Sequence, residues 1–461
     1  MKKIIAISSL AALMGMSANA TISRIKALGN QETDMEGNYW FDDSRDIFLN
    51  PAMMHKYADQ VILEWGGNGN DLADNNANSE LNTNTDTSPT AQGGFLKKSG
   101  NYVYGIYLGN ESNTSAQLRA LSSSQAAIAE GEAASPLSEK DGTYSNLLDG
   151  SDNQIDLFFG WESGLKYGVN FLYTKSDDDT NNSEDEAMAV RFGVDADKWD
   201  AHINLSLKSQ SKETVALTNL NTSSAAFQDN VTHEFDGQLG LQVGGSYEVA
   251  ENARVWAFYK TFKWDQKDDF GDYNLDADSN GVADIDGSDP GSSSNRGQQG
   301  TREGEFTTIQ LGYGKTMKAG NGTVFASAYV EQISIELTGV QTAEVENLTV
   351  PVTFGYEAKA TEWLTLRGSV VHNLYGQRDN KNYANLNSVG AGLAQQVYGA
   401  TGEGSLNNST NVNAGATLTF GKLNIDGFVG TTAFSRAGSA GEQGVLSTDN
   451  LMTRVAMTYN F

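Results

Sequence analysis

The chain has 461 residues and a formal net charge of −27, from 31 basic and 58 acidic residues. This acidic balance argues against a nucleic-acid partner, because phosphate recognition needs clustered lysine and arginine. The sequence contains no cysteine, which excludes disulfide bonds, thiolate metal sites and a lipid anchor on cysteine.

Residues 1–20 have the pattern of a secretory signal peptide. Basic residues at Lys2 and Lys3 precede a mostly apolar run and the small-residue cleavage site Ala18-Asn19-Ala20. The run is too short for a transmembrane helix, which needs about twenty apolar residues. We therefore predict export of the chain and cleavage before Thr21.

Residues 21–58 precede the first predicted strand and contain the motif Asn50-Pro51-Ala52. Asparagine before proline favours a stop, and Pro51 suits the first turn of a short helix. The segment resembles the N-terminal segment of the long-chain fatty-acid transporter (FadL-like) superfamily of Gram-negative outer-membrane barrels. There it precedes the first strand and forms a hatch inside the lumen. The resemblance implies a plug over residues 21–58, which includes Asn50, Pro51 and Ala52, followed by a barrel over residues 59–461.

Sixteen later segments show the two-residue alternation that is typical of half-buried β-strands. In the fifth segment, for example, Leu165 and Tyr167 alternate with Lys166 and Gly168. The segments lie near residues 60–67, 92–98, 101–109, 153–161, 164–175, 185–195, 198–210, 232–248, 251–264, 304–316, 321–338, 347–360, 363–376, 409–420, 423–435 and 450–461.

The connections between these segments alternate between short turns and long loops. Outer-membrane barrels have short periplasmic turns and longer external loops. The pattern therefore predicts an all-β fold, a single transmembrane antiparallel β-barrel of about sixteen strands, with both termini in the periplasm. The family resemblance gives fourteen strands as the alternative. Pro351 lies inside a segment, and we expect it near a rim or at a bulge because it has no N–H for the ladder.

The long loop over residues 110–152 contains a segment, 115–134, that is rich in Ala, Leu, Gln and Glu. These residues favour a helix. We predict that this helix folds over or into the barrel mouth, and the alternative is a surface extension.

Polar faces of the segments are predicted to line the lumen. In the eighth segment the alternation places Glu234 and Asp236 inward and Phe235 outward, and Trp264 is assigned to an aromatic girdle at the membrane interface. Sixteen strands leave room for water, so the sequence predicts a hydrated interior without a continuous apolar track. The alternative is that the charges pair across a filled barrel. The predicted pore-lining residues are Asp156, Lys166, Arg191, Asp200, His202, Lys208, Glu234, Asp236, Glu357, Lys359, Arg367, Asp426 and Arg454.

An acidic loop over residues 276–286 begins like a calcium-binding loop, with Gly281 at the position of the turn. Gly287 stands where an EF-hand has its bidentate glutamate, so the pattern is closer to that of repeats without flanking helices. The candidate Ca²⁺ ligands are Asp276, Asp278, Asn280, Asp284 and Asp286. A solvated acidic loop is the alternative, and no other cofactor is predicted.

The last segment ends on Phe461 after Tyr459, with apolar and polar residues alternating before it. It resembles the C-terminal signal of bacterial outer-membrane barrels, which implies the barrel-assembly machinery as a partner. A soluble protein with so apolar an edge strand would be prone to aggregation. A closed barrel in lipid has no edge.

These features predict an outer-membrane porin for passive diffusion of small hydrophilic solutes and ions, with a modest preference for cations. One alternative is FadL-like transport of hydrophobic molecules, and a further alternative is a structural or adhesive role. No catalytic constellation stands out, so an enzyme is not expected. The other expected partners are outer-membrane lipid, lipopolysaccharide and small solutes, and a homo-oligomer is left open.

Overall fold

The computed structural model describes residues 21–30, 36–66, 91–110, 154–178, 182–218, 228–269, 300–338, 343–381, 402–405, 410–430 and 454–461. The predicted signal peptide, the predicted helix over 115–134 and the predicted calcium loop over 276–286 lie outside these residues and stay predictions. Among the described residues, no helix has the length and apolarity to cross a membrane.

Eighteen strands form one continuous sheet. The strands are β1 (Gln60–Gly66), β2 (Gln92–Ser99), β3 (Tyr102–Leu108), β4 (Ile155–Ser163), β5 (Leu165–Asp178), β6 (Ser183–Asp195), β7 (Trp199–Thr218), β8 (Gln228–Gly237), β9 (Gly240–Ala250), β10 (Ala253–Asp269), β11 (Gly300–Ala319), β12 (Gly322–Thr338), β13 (Ala343–Lys359), β14 (Leu364–Lys381), β15 (Gly402–Ser405), β16 (Thr410–Phe420), β17 (Leu423–Gly430) and β18 (Arg454–Asn460).

Each strand pairs antiparallel with its neighbours, and β1 pairs with β18 from Gln60↔Asn460 to Gly66↔Arg454, which closes the sheet. Strands β8 and β9 both lie between β7 and β10 and share one position in the wall. Strands β15 and β16 both pair with β14 and share another. The wall therefore has sixteen strand positions, which confirms the predicted all-β antiparallel barrel of sixteen strands.

The outer face of the barrel is apolar. In β4, Ile155, Leu157 and Phe159 are exposed, whereas Asp156 and Phe158 between them are buried. Exposed large apolar side chains recur on the other strands around the wall. Closure pairs the backbone groups of every wall strand, and an apolar outer belt matches lipid. The chain is therefore a membrane-spanning barrel of the outer-membrane type.

Residues 21–30 and 36–58, called the plug below, lie inside the barrel. The plug contains helix α1 (Ile22–Ala27), helix α2 (Asp46–Leu49) and a 3₁₀ helix (Pro51–His55). Thr21 caps α1, and the Asn50 side chain accepts a hydrogen bond from the Ala52 N–H at the start of the 3₁₀ helix. Both caps satisfy N–H groups that a short helix leaves unpaired.

The plug contacts the wall in widely separated places. Helix α1 packs against β14, β16, β17 and β18, and the 3₁₀ helix packs against β4, β5 and β6. Gly168 in β5 permits the second contact, because a Cβ there would lie 2.2 Å from the Pro51 carbonyl carbon.

Two apolar clusters join the plug to the inner wall. One contains plug residues of α1 and 39–41 together with wall residues such as Trp256 and Phe325. The other joins Phe48 and Met54 of the plug to the inner faces of β1 to β4. Burial of a large apolar side chain contributes about 1.5–3 kcal/mol, so these clusters hold the plug inside the lumen.

The β9–β10 register shifts between Ala253 and Arg254, next to a short turn, and the wall changes register at three further places. The β6–β7 register shifts between Met188 and Ala189, which leaves Leu207 without a partner in β6. The strand position shared by β8 and β9 is interrupted at Gln238 and Leu239. The β13–β14 register shifts between Val350 and Pro351, so the expectation of Pro351 at a bulge is confirmed.

The interruption between β8 and β9 reverses the faces predicted for β8. From Gly237 to Leu241 the chain advances four residues, while the partners Trp264 and Thr261 in β10 are three apart. One extra residue exchanges inward and outward positions. Phe235 is therefore inward and only 1% exposed, contrary to the prediction.

Candidate functional site in the barrel lumen

A buried ionic cluster joins the plug to β13, β14 and β17. Arg24 Nη1 lies 3.2 Å from Asp43 Oδ2, and Arg24 Nε lies 3.0 Å from Glu357 Oε2. Glu357 Oε2 is also 3.0 Å from Arg367 Nε, and Arg367 Nη1 is 2.9 Å from Asp426 Oδ1. Charges of opposite sign thus alternate through the cluster, as burial requires.

Burial raises the pKa of Asp43 to about 7, although the Arg24 charge lowers it in part. For Arg24, burial alone would lower the pKa, but Glu357 and Asp43 together hold the pKa above its usual range. Burial likewise raises the pKa of Asp46, the first residue of α2. The middle of the plug is therefore a site where protonation and docking are linked.

Two arginines of the inner wall form three further ion pairs. Arg191 Nη1 is 3.0 Å from Asp156 Oδ1, and Arg191 Nη2 is 3.8 Å from Glu36 Oε1 in the plug. Arg254 Nη1 is 3.0 Å from Asp200 Oδ2. These wall charges therefore pair with one another or with the plug.

A cavity of about 180 Å³, called the upper cavity below, lies at the long-loop end of the lumen. Leu172, Phe262 and Phe306 form an apolar part of its lining. Asn204 and Gln242 are among its polar lining residues. The upper cavity is therefore amphipathic.

A second cavity of about 560 Å³, called the lower cavity below, lies at the short-turn end. Its lining is mostly polar and includes charged residues of both signs. Those residues include Arg24, Asp42, Lys56, Glu248, Arg254 and Lys318.

An aromatic layer lies between the two cavities. Along β7, Asp200 lines the lower cavity and Asn204 lines the upper cavity, with His202 between them. The Tyr39 ring of the plug stacks on His202 with 6.0 Å between centroids, and on Trp256 of β10 at 6.0 Å. The same ring lies 6.2 Å from that of Phe258. The Tyr39 ring of the plug therefore packs against the wall at the level between the upper and lower cavities.

Most predicted pore-lining residues lie on inward positions, where many of them pair with other charges. Lys166 pairs with Asp195 and Asp197 at 3.2 Å near the short-turn end, and Lys359 is exposed at the same end. The side chain of Arg454 lies outside the described part of the chain. The inward residues are Asp156, Lys166, Arg191, Asp200, His202, Glu357, Lys359, Arg367 and Asp426.

The inward placement of Lys208, Glu234 and Asp236 is wrong. Lys208 lies opposite Met188 on the outer face, where Lys208 Nζ is 2.6 Å from Glu186 Oε2. The register shift at Leu207 reverses the face of Lys208, and the interruption after β8 reverses Glu234 and Asp236.

The same reversal hides Phe235, one member of an aromatic inner wall, from the sequence pattern. Phe235 stacks on Phe262 at 6.3 Å and on Trp264 at 6.0 Å between centroids. Trp264 is 1% exposed and lies inward, so its assignment to an interfacial girdle is wrong. The inner wall therefore carries an aromatic patch on this side of the barrel, where the alternation in β8 predicts polar residues.

The predicted plug residues lie against the wall. Asn50 Nδ2 donates to Val194 O at 3.1 Å and to Ala201 O at 3.3 Å. Pro51 and Ala52 lie over Gly168.

Sequence reasoning missed the plug side of the site. Three plug residues contact the wall or each other, namely Arg24, Glu36 and Asp43. They lie in a segment without strand periodicity, so the alternation of apolar and polar residues did not indicate them. Arg254 and Phe262 did carry a signal, because both occupy even positions of the regular strand β10.

No protein-family model matches the sequence, and no curated protein matches it. Among solved structures, a FadL homologue of Pseudomonas aeruginosa is similar, with 12% identity, 96% of this chain and 98% of that chain covered, and a TM-score of 0.39. The CymD monoaromatic hydrocarbon channel has 9% identity over 96% and 98% of the two chains, with a TM-score of 0.35. The Pseudomonas putida toluene transporter TodX has 10% identity over 96% and 99%, with a TM-score of 0.35. Similarity at this level does not establish a family, and the fold rests on the strand pairing described above.

Proposed function

We propose that the protein carries small hydrophobic molecules across the outer membrane and binds them in the upper cavity. The observation that supports this best is the aromatic inner wall at the long-loop end, where Phe262 and Phe306 line the upper cavity and Phe235 and Trp264 stack on Phe262. Apolar area removed from water contributes roughly 25 cal/mol per Å². A wall of this kind therefore favours an apolar ligand over a hydrated ion.

The pairing of the inner-wall charges argues against passive diffusion of hydrophilic solutes. Arg191, Asp156 and Arg367 were predicted to face water, and each instead has an oppositely charged partner within 3.0 Å. The plug also buries apolar residues between the wall strands. These contacts support a filled lumen in which a ligand moves by local rearrangement.

The exit that we propose is through the wall beside the upper cavity. The β7 ladder to β8 and β9 is interrupted at Leu207–Lys208 and Gln238–Leu239. Lys208 and Leu241, whose side chains face outward, border the upper cavity together with inward residues. Where ladder hydrogen bonds are already missing, fewer of them must break for a ligand to pass.

Uptake by cells that produce the protein tests the proposal. Ala189 lines the upper cavity from β6, and Ala189→Phe should fill the cavity and lower uptake of a radiolabelled hydrophobic probe at least about tenfold, as overpacking would. Val243→Phe adds a ring to the lipid-facing side of β9 and is the matched control. Equal uptake by the two variants would count against the upper cavity as the ligand site.

Planar-bilayer recording distinguishes transport of hydrophobic molecules from a porin and from a structural or adhesive role. The complete protein should give no steady ohmic current, and deletion of residues 21–58 should produce one. Ohmic, weakly cation-selective currents from the complete protein would instead indicate a porin. A silent barrel that takes up no hydrophobic probe would indicate a structural or adhesive role.

A further inference from the structure

We propose that the upper cavity selects a single aromatic ring that carries a hydroxyl or carbonyl group over a plain hydrocarbon of the same shape. The inference rests on the proposed function, because it takes the upper cavity as the ligand site. It adds the polar requirement of that site and assigns it to Asn204 and Gln242.

The volume of the upper cavity matches about one ring. Its volume is about 180 Å³, and an apolar cavity of about 150 Å³ in another protein holds benzene. The space exists because Ala187, Ala189 and Gly240 are small. A Cβ at Gly240 would lie 3.0 Å from Phe262 Cδ2, so glycine lets the Phe262 ring lie over the wall.

The apolar lining is built for a flat ligand. Phe262 is held in a stack, with 6.3 Å to the Phe235 centroid and 5.9 Å to the Trp264 centroid. Phe306 and Leu172 complete this lining, and both are at most 8% exposed. An aromatic ring that packs against such side chains gains about 0.5–1.5 kcal/mol beyond its area burial.

The polar lining offers one acceptor and one donor. Asn204 Nδ2 donates to Leu49 O at 3.2 Å and to Gln242 Oε1 at 3.4 Å. Asn204 Oδ1 and Gln242 Nε2 then have no hydrogen-bond partner among the described residues. Asn204 is 8% exposed and Gln242 is 5% exposed. Both amides are thus buried. The hydrogen bond between them uses Asn204 Nδ2 and Gln242 Oε1, and it leaves Asn204 Oδ1 as an acceptor and Gln242 Nε2 as a donor.

A hydroxyl group matches this arrangement because it can donate to Asn204 Oδ1 and accept from Gln242 Nε2. A hydrocarbon brings no partner to either amide atom, so both stay unpaired. Sites built to bond a hydroxyl reject analogues that lack one far more strongly than apolar pockets reject a missing methylene.

Calorimetry of the complete protein in a non-ionic detergent tests the selectivity with p-cresol and p-xylene. The two molecules have the same para-substituted ring, and one carries a hydroxyl where the other has a methyl group. The wild type should bind p-cresol at least about tenfold more tightly at equal free concentration, which corresponds to about one hydrogen bond.

Gln242→Met removes the donor and keeps a side chain of similar length. It should weaken p-cresol binding about tenfold and leave p-xylene binding no weaker than in the wild type. Val243→Met, on the lipid-facing side of the same strand, is the matched control and should change neither affinity. Heat-modifiable migration in gels establishes that both variants are folded barrels.

Equal or tighter binding of p-xylene by the wild type would overturn the proposal, and so would the absence of binding of both probes. Loss of both affinities to the same extent in Gln242→Met would also overturn it, because a polar contact would not be responsible. If p-xylene binds as tightly as p-cresol while Ala189→Phe still blocks hydrophobic uptake, only the selectivity fails and the proposed function stands.

Discussion

Arg24 contacts carboxylates on both sides of the boundary between the plug and the wall. Asp43 lies within the plug, and Glu357 lies on β13. Because all three side chains are at most 13% exposed, removal of the guanidinium leaves two buried carboxylates without this partner. Such a loss is more costly than the net contribution of the ion pair itself.

Arg24→Ala should therefore weaken docking of the plug by about 3 kcal/mol. Limited proteolysis of residues 21–58 in the purified barrel measures this as faster cleavage. Asp42→Asn is the control, since Asp42 is the neighbour of Asp43 in the chain and its side chain is 81% exposed. A plug that resists protease equally in Arg24→Ala and the wild type would contradict the assignment.

Gly168 offers a second test at the scale of one atom. Gly168→Ala places a methyl group 2.2 Å from the Pro51 carbonyl carbon, so the 3₁₀ helix must shift at a cost of about 1–3 kcal/mol. Gly427→Ala adds the same methyl group where no atom lies within 4 Å. We expect lower protection of residues 50–57 from hydrogen exchange in the first variant only, and equal protection in both would refute the close packing.

At the scale of the element, the plug should respond to pH. Burial raises the pKa of Asp43 to about 7 and raises that of Asp46 as well. An undocked plug has ordinary carboxyl groups with pKa values near ~4. Between ~4 and ~7 the docked plug therefore binds more protons, and docking weakens as pH rises through this window.

Hydrogen-exchange protection factors for residues 36–46 should accordingly be higher at pH 5 than at pH 8. Asp43→Asn should flatten this dependence, because one of the two titrating groups is removed. Asp42→Asn should change it much less, since that side chain is solvent-exposed and its charge is the smallest of the named contributions to the raised pKa of Asp46. Protection that rises with pH would contradict the raised pKa values of Asp43 and Asp46.

Regular strands were predictable from the sequence, and irregular ones were not. In β4 to β6 the alternation placed Asp156 and Arg191 on the same face, and they form an ion pair there. Beyond Leu207 and Gln238 the same rule fails, because one extra residue reverses every later position. Contacts between the plug and the wall were also beyond reach, since they join residues far apart in the sequence, such as Arg24 and Glu357 at a separation of 333 positions.

At the scale of the whole molecule, closure of the barrel meets the plug at Asp59. The Phe461 N–H donates to Asp59 O at 3.0 Å, and Lys97 Nζ lies 2.7 Å from Asp59 Oδ1. Lys97 Nζ also lies 4.7 Å from the centroid of the Phe461 ring. Three residues therefore meet where the barrel closes: Phe461 of the last segment, Asp59 next to the plug, and Lys97 of β2.

Phe461→Ala should lower the amount of protein in the outer membrane while export continues, because the ring contact at the seam is lost. Phe420→Ala removes an exposed ring of β16 near the same rim and is the control. Membrane fractionation and heat-modifiable migration measure the outcome. Normal assembly of Phe461→Ala would show that the seam closes without this ring.

The widely separated attachments of the plug have a mechanical consequence. Helix α1 is fixed to β14 and β16–β18, the 3₁₀ helix to β4–β6, and Tyr39 to β7 and β10. A hollow cylinder flattens easily under lateral load, whereas one with internal struts keeps its round section. The plug therefore stiffens the cross-section of the barrel, and any event that loosens it also makes the cylinder more compliant to the pressure of the surrounding bilayer.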